Sequence, residues 1–494
     1  MMTAAPRRVL VILIVTAALS MTLRLELLSK GPYHSDCLWL AIQSQNIVKT
    51  GHMQYLQSSG LPLTALAGAA FVGLTGAAGD LDRAVFAVNL MAAVFGALSV
   101  IPFFFFMRRF SDEVTAAVSV LLVTVNPFLV GLSTFGNSHA PAFFFLTIAL
   151  WAAAGYRRDG RRRDLVWTGI GLGLMGAARV QDLVVMAPTL LLMTCRPPRG
   201  KSVRGPLDWL IPWAIAALIV VSAYIPKFAV GRAGGEGVGA FVYGNLLAYW
   251  DPLPLSGYGV MLRRLMETFS WPEWAAMLAG VMILFRQGRY RELSVLAVWA
   301  VTPMLVFGQL AFFVFRFLIV TVAALLILEA VAVGALWRRN RWWGAAGAAL
   351  LMITVITHAL PYYKIYHHRH RQALLVDFFR WVGIVTEPQA YVYERDHIAW
   401  INAYAQRRFV GVDRSNAEGV ARFRQRIDSL LAGGHPVYIT KYGLMDRDDI
   451  LRRELIKHYR LEWVGSRMIE DWHLGFMKQV VVPNDLLRVR AREN

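Results

Sequence analysis

Residues 83–109 read RAVFAVNLMAAVFGALSVIPFFFFMRR, an apolar run that ends on Arg108-Arg109. As an α-helix, a run of this length covers the ~30 Å hydrocarbon core of a bilayer. The basic pair fixes its sidedness, because short cytoplasmic loops collect Lys and Arg. Working outward, the same pattern recurs. Arg7-Arg8, Arg157 to Arg163, Arg196 to Arg204, Arg286 to Arg291 and Arg338 to Arg341 each fall in a short loop between apolar runs. Placing every cluster on the cytoplasmic side gives about eleven spans, near 9–28, 83–107, 113–132, 140–156, 165–178, 182–195, 209–226, 272–285, 294–311, 315–336 and 343–360. An odd number starting inside leaves residues 361–494 outside. The sequence therefore predicts a polytopic α-helical protein of the inner (plasma) membrane.

Composition agrees. Hydrophobic residues make up 56% of 494, against the ~45–50% usual in soluble domains. Mean hydropathy is +0.46 although the net charge is +19. Apolar and basic residues must then be segregated, and the basic excess is topological and lipid-facing, with no nucleic-acid partner implied. Cys37 and Cys195 fall on opposite faces and form no disulfide framework. The first run, from Val9 through Leu28, lacks a small-residue cleavage site and reads as an uncleaved signal-anchor.

Leu61 to Ala77 is apolar enough to span, but counting it would invert every later basic cluster. With Ser58, Ser59, Gly60 and Pro62 at its start, it reads as an interfacial or re-entrant helix on the outer face. Two outer loops are long, about 29–82 and 227–271, so any catalytic surface should face outward. After Pro361 charge appears on every turn, and strand-like stretches alternate with helix-like ones. The strand-like stretches are Ala390–Tyr393, Phe409–Val412, Val437–Thr440 and Gln479–Val482. Residues 361–494 thus read as a small C-terminal α/β extracytoplasmic domain after a membrane domain of residues 1–360. No Gly-rich phosphate fingerprint follows its strands.

Several residues could carry chemistry. Tyr33-His34-Ser35-Asp36 lies just past the first span, at the height where a lipid-linked substrate would present its head group. Arg179 and Arg316 fall at outer ends of spans, where a guanidinium could hold a phosphate or, more plainly, pair with Asp182 or reach to the interface. Glu329 lies inside a span and is expected to make an interhelical hydrogen bond. His367-His368-Arg369-His370 reads as a solvated juxtamembrane patch, because Arg369 and Arg371 would repel a cation.

The order of these features resembles the GT-C superfamily of polyprenyl-phosphate-dependent glycosyltransferases, near the protein O-mannosyltransferases and lipid A aminoarabinose transferases. The matching pieces are Asp36 after the first span, the helix-forming Trp39 to Lys49, Leu61-Pro62-Leu63 and Arg108-Arg109-Phe110. They continue with Phe135-Gly136-Asn137-Ser138-His139, Gly171-Leu172-Gly173-Leu174 leading to Ala178-Arg179-Val180-Gln181-Asp182, Asn245 with Asp251-Pro252-Leu253 and Gly257-Tyr258-Gly259, and Phe315-Arg316-Phe317. The resemblance implies a GT-C-like fold and transfer of a hexosyl or pentosyl group, with inversion, from a polyprenyl-phosphate-linked sugar to a protein, lipid or glycan acceptor outside the membrane. It implies Asp36 as general base, with His34 as the competing base. Arg179 and Arg316 would hold the donor phosphate, and Asn137, His139 and Asp182 would line the substrate site. Two departures stand out: Cys37 where many members carry a second acid, and Asn137 with His139 where a second-loop acid is common. No cofactor is assigned, although the pattern leaves room for a divalent cation. The C-terminal domain is expected to help recognise the acceptor. Rival readings are a transporter or flippase, and a polymerase or ligase using a polyprenyl diphosphate. A transporter would place its ionisable groups at the midplane and repeat its halves. Here the polar motifs sit at span ends, and no repeat is visible.

Overall fold

The computed structural model describes residues 4–53, 61–195, 208–234, 255–309, 315–394, 397–411, 417–444, 450–471 and 480–492. The Asn245 and Asp251 motif and the Arg196–Arg204 cluster lie outside these residues. The chain divides into two units, Met1–Ser29 with Leu40–His368, and Lys30–Trp39 with Arg369–Asn494.

The first unit is helical. In chain order come α1 (Ala4–Glu26), α2 (Ser35–Thr50, which begins in the second unit), α3 (Pro62–Leu74), α4 (Leu81–Leu98), α5 (Val100–Phe110), α6 (Glu113–Val125) and α7 (Pro127–Leu132). Next are α8 (His139–Asp159), α9 (Arg162–Ala178), α10 (Val180–Thr194) and α11 (Ile211–Gly234). Helices Leu255–Thr268, Trp271–Arg286, Tyr290–Phe307, Ile319–Arg339 and Arg341–Arg371 follow. Among the described residues, 7 helices are long and apolar enough to cross a membrane, or up to 8 if the pair Gly257–Thr268 and Trp271–Arg286, bent by 103°, is one span. The protein is an integral membrane protein. Each of the eleven spans expected from the sequence contains a helix among the described residues, but several are shorter or broken, so fewer than eleven are long enough to cross. The run 113–132 splits at Asn126, whose side chain accepts from the Phe128 and Leu129 amides and starts α7 with Pro127 in its first turn. Pro62 likewise opens α3, at 13 residues too short to cross alone.

Close helix approach depends on small residues, as it must where lipid supplies no hydrophobic drive. A Cβ on Gly171 would sit 2.8 Å from the Ala149 amide nitrogen, so α9 rests directly on the backbone of α8. One on Gly173 would meet the Ile219 side chain at 2.7 Å, on the other side toward α11. The Gly-Leu-Gly motif is therefore the point at which three helices touch.

Glu329 corrects an expectation. It is fully buried, yet among the described residues neither carboxyl oxygen has a hydrogen-bond partner. The helix packed beside it, Trp271–Arg286, buries a second carboxyl, Glu273, with Met277, Gly280 and Leu284.

The second unit carries a five-stranded sheet in the order β2-β1-β3-β5-β4, with β1 (Tyr391–Tyr393), β2 (Arg408–Phe409), β3 (Val437–Thr440), β4 (Tyr459–Asp471) and β5 (Val480–Ala491). β1 pairs in parallel with β2 and β3, while β5 runs antiparallel to both β3 and β4. β4 was not foreseen, since it follows the helix Ile450–His458 with no turn residue between them. Helix Ala417–Ala432 seals one face, putting Phe423 and Ile427 against Val437, Ile439 and Val489. A second correction falls here. Arg369 is not part of a solvated patch; it is buried, its guanidinium 3.9 Å from the centre of the Tyr33 ring.

On the central strand β3 Tyr438 donates to Glu387 at 2.6 Å, and Arg488 of the neighbouring β5 pairs with the same carboxylate at 3.1 Å. Partial burial pushes the Glu387 carboxyl up, but the hydrogen bonds from Tyr438 and its own backbone, with Arg488 and Arg490, hold it below the usual carboxylate range. Tyr438 is pushed up to about 12 by burial and by that carboxylate. A folded pKa below the unfolded one gives stability that is complete above the unfolded value, about 4.3, and lost as pH falls through the folded one. Hydrogen exchange in the full-length protein should therefore show β3 losing protection below about pH 4. Tyr438→Phe should lower that protection at neutral pH and make its acid dependence shallower.

Candidate functional site

α9 ends and α10 begins at one residue, Arg179, whose extended backbone (φ −160°, ψ 101°) breaks the helix and turns its side chain into the bundle. The guanidinium is buried at 6% exposure. Its Nε donates to Asp182 Oδ1 at 3.0 Å, its Nη1 reaches Ser138 Oγ at 3.4 Å, and it lies 4.7 Å from the centre of the Phe317 ring. Nη2 is buried without a hydrogen-bond partner among the described residues. The ion pair weighed for Arg179 is thus made, and both partners are out of water. It occupies only part of the guanidinium, which has five N–H donors.

Ser138 ends a wholly buried turn. Asn137 shapes it, donating to the Leu132 and Phe135 carbonyls at 2.6 and 2.8 Å and accepting from the His139 amide at 2.8 Å. His139 opens α8, and its ring faces Phe317 with centroids 6.3 Å apart. Phe317 belongs to the 3-10 turn Phe315–Leu318, which also carries half-buried Arg316. From the other side, Thr64 of α3 donates to the Ala178 carbonyl at 3.1 Å, fixing the residue before Arg179. The first unit therefore gathers Arg179, Asp182, Asn137 and His139, with Arg316 next to the ring that Arg179 covers. Ser138 and Phe317, quoted only as parts of motifs, turn out to be the contacts that hold Arg179 in place.

The second unit holds His34 and Asp36. Asp36 sits in the first turn of α2, where the helix dipole favours a carboxylate. Its side chain is 34% exposed, against 13% for His34. Nδ1 of His34 lies 3.1 Å from the Asp36 amide nitrogen and 3.4 Å from Asp36 Oδ2. These contacts compete, because a neutral ring accepts from the amide through Nδ1, whereas a protonated ring donates to the carboxylate. Cys37 is fully buried. Among the described residues no group of three or more His, Cys, Asp and Glu side chains could hold a metal ion. His34 and Asp36 alone supply two donors, and the described residues assemble no cation site.

A family profile described as dolichyl-phosphate-mannose-protein mannosyltransferase matches residues 77–226, the part that contains the Arg179 site. No curated protein matches. Among solved structures, ArnT from Cupriavidus metallidurans bound to undecaprenyl phosphate is similar with a TM-score of 0.63 at 15% identity, over 98% of each chain. This chain has the GT-C fold. The oligosaccharyltransferase of Archaeoglobus fulgidus, tethered to an acceptor peptide, is similar with a TM-score of 0.58 at 13% identity, over 96% of this chain and 75% of that one. The mycobacterial arabinofuranosyltransferase AftD is similar at 0.52 and 13% identity, over 98% of this chain but 40% of its own length. All belong to the superfamily that the sequence resembles.

Removing one member of a buried pair strands the other, at about 3–5 kcal/mol, while replacing both with apolar residues is often neutral. Arg179→Met and Asp182→Leu should each lower the thermal midpoint, and the double variant should recover most of the loss.

Proposed function

We propose that the protein is a membrane glycosyltransferase that moves a sugar from a polyprenyl-phosphate donor to an acceptor on the outer face, with inversion. The observation that carries this is the Arg179 site, a buried guanidinium with an unpartnered N–H in a GT-C fold. A phosphate needs fixed donors as it departs, and Arg supplies them in a planar fork. The likeness to an ArnT structure that holds undecaprenyl phosphate supports a lipid-phosphate donor. Arg316 adds charge to Arg179, whose own is balanced by Asp182.

Asp36 is the base. It takes the proton of the acceptor hydroxyl while that oxygen attacks the anomeric carbon opposite the phosphate. The bond from that carbon to the phosphate oxygen breaks, and polyprenyl phosphate leaves with the electron pair. A phosphate leaving group is weakly basic and needs no general acid, unlike hydrolysis by paired carboxylates. A lone acid therefore suffices beside Cys37. An ordinary Asp, near ~3.9, is ionised at neutral pH. His34 tunes it, since a protonated ring would bond the carboxylate and lower its basicity. The reading places the second unit outside the membrane, where it helps to select the acceptor.

Asp36→Asn should abolish transfer in a membrane assay with the donor lipid while undecaprenyl phosphate still binds. Near-normal turnover in Asp36→Asn, with His34→Ala inactive, would give the role to the histidine. For sidedness, a single cysteine at Gly31 should react with an impermeant thiol reagent in sealed cells, and one at Gly160 should not. Labelling at Gly160 would invert the map.

A further inference from the structure

We infer that Asn89 is a positioning residue for the Arg179 site, acting through the buried turn that ends at Ser138; this rests on the donor-site reading above. Asn89 lies on α4 and is fully buried. Its side chain grips backbone on both sides. Its Nδ2 donates to the Ser29 carbonyl at 2.8 Å, and its Oδ1 accepts from the Gly136 amide at 2.7 Å. The Ser29 amide in turn donates to the Thr134 carbonyl at 2.7 Å. The exit of α1 and the turn are thus stitched together around one side-chain amide.

Buried backbone groups must be paired, and this turn, which is neither helix nor strand, has few partners of its own. Gly136 is two residues from Ser138, so the pin at the Gly136 amide sets where the Ser138 hydroxyl stands. That hydroxyl receives Nη1 of Arg179. The other end of the turn is pinned as well. Arg24 of α1, buried within its span, donates from Nε to Ser133 Oγ at 2.8 Å. A Cβ on Gly96, two helical turns beyond Asn89 on α4, would come within 2.4 Å of Ser133 Cβ. α4 therefore backs the turn along its whole length. Asn is the side chain suited to this task, because it offers a donor and an acceptor on one short planar group. Asp at the same position would set a carboxylate oxygen against the Ser29 carbonyl.

A double-mutant cycle tests the link. Full-length protein in nanodiscs is titrated with undecaprenyl phosphate in four forms: wild type, Asn89→Asp, Arg179→Lys and both together. If Asn89 acts through Arg179, each single change weakens binding by about tenfold, the scale of one charge-assisted hydrogen bond, and the double variant is no weaker than the worse single. Losses that multiply would mean that Asn89 only supports the fold. Wild-type affinity in Asn89→Asp overturns the inference outright. Asn89→Ser, too short to reach both backbone groups, replaces Asn89→Asp if the latter fails to fold. Failure of the donor reading looks different: wild type ignores the lipid, or Arg179→Lys binds it normally, and the positioning role falls with it.

Discussion

Within a helical bundle surrounded by lipid, a charged side chain cannot borrow hydration and must bring its partners with it. The membrane unit meets that constraint in three ways. Arg24 stays inside its span by donating to the Ser20 and Ser133 hydroxyls and the Ser20 carbonyl. Arg179 is balanced by Asp182 three residues on, which leaves the pair neutral and one N–H unspent. Glu329 has no hydrogen-bonding partner among the described residues. Only the second arrangement leaves a binding capacity. A neutral pair with a spare donor can accept a ligand oxygen without first breaking its own contacts. It adds no net attraction for an anion, however, and in the proposed donor site that term would fall to Arg316.

The same economy governs the His34–Asp36 element. Asp36 stands in the first turn of α2, where the helix dipole favours a carboxylate. The Nδ1 atom of His34 stands between the Asp36 amide and its carboxylate. A neutral ring accepts from the amide there, and a protonated one donates to the carboxylate.

How much of this was legible follows from which signals are local. The long apolar runs and their basic ends are local, and the helices fell where they were expected. The Arg179–Asp182 pair was legible too, from a spacing of three residues. The break at Asn126 was missed because Asn followed by Pro can sit inside a long apolar run as readily as it can cap a new helix. β4 was missed for want of a turn signal after His458. Glu329 and Arg369 went wrong for a deeper reason: whether a charge is partnered, buried or solvated depends on what a distant segment presents to it. The helix packed beside Glu329 buries a second carboxyl, Glu273, and the ring under Arg369 comes from Tyr33. Ser138, Phe317 and Asn89 gain their importance only from contacts across more than 40 residues of sequence.

Cys37 joins sequence to chemistry. The resemblance led one to look for a second acid beside Asp36, and the residue there is a cysteine with no exposed surface, while Asp36 is about one-third exposed. Successive residues at a helix start point about 100° apart, so a residue at 36 can face solvent while its neighbour faces the interior. A carboxylate at 37 would need a buried counter-charge or a bound cation, whereas a thiol there behaves as a small hydrophobe. The substitution therefore does more than delete one acid. It leaves the first turn of α2 with one carboxylate, partly exposed, beside a residue packed into the interior.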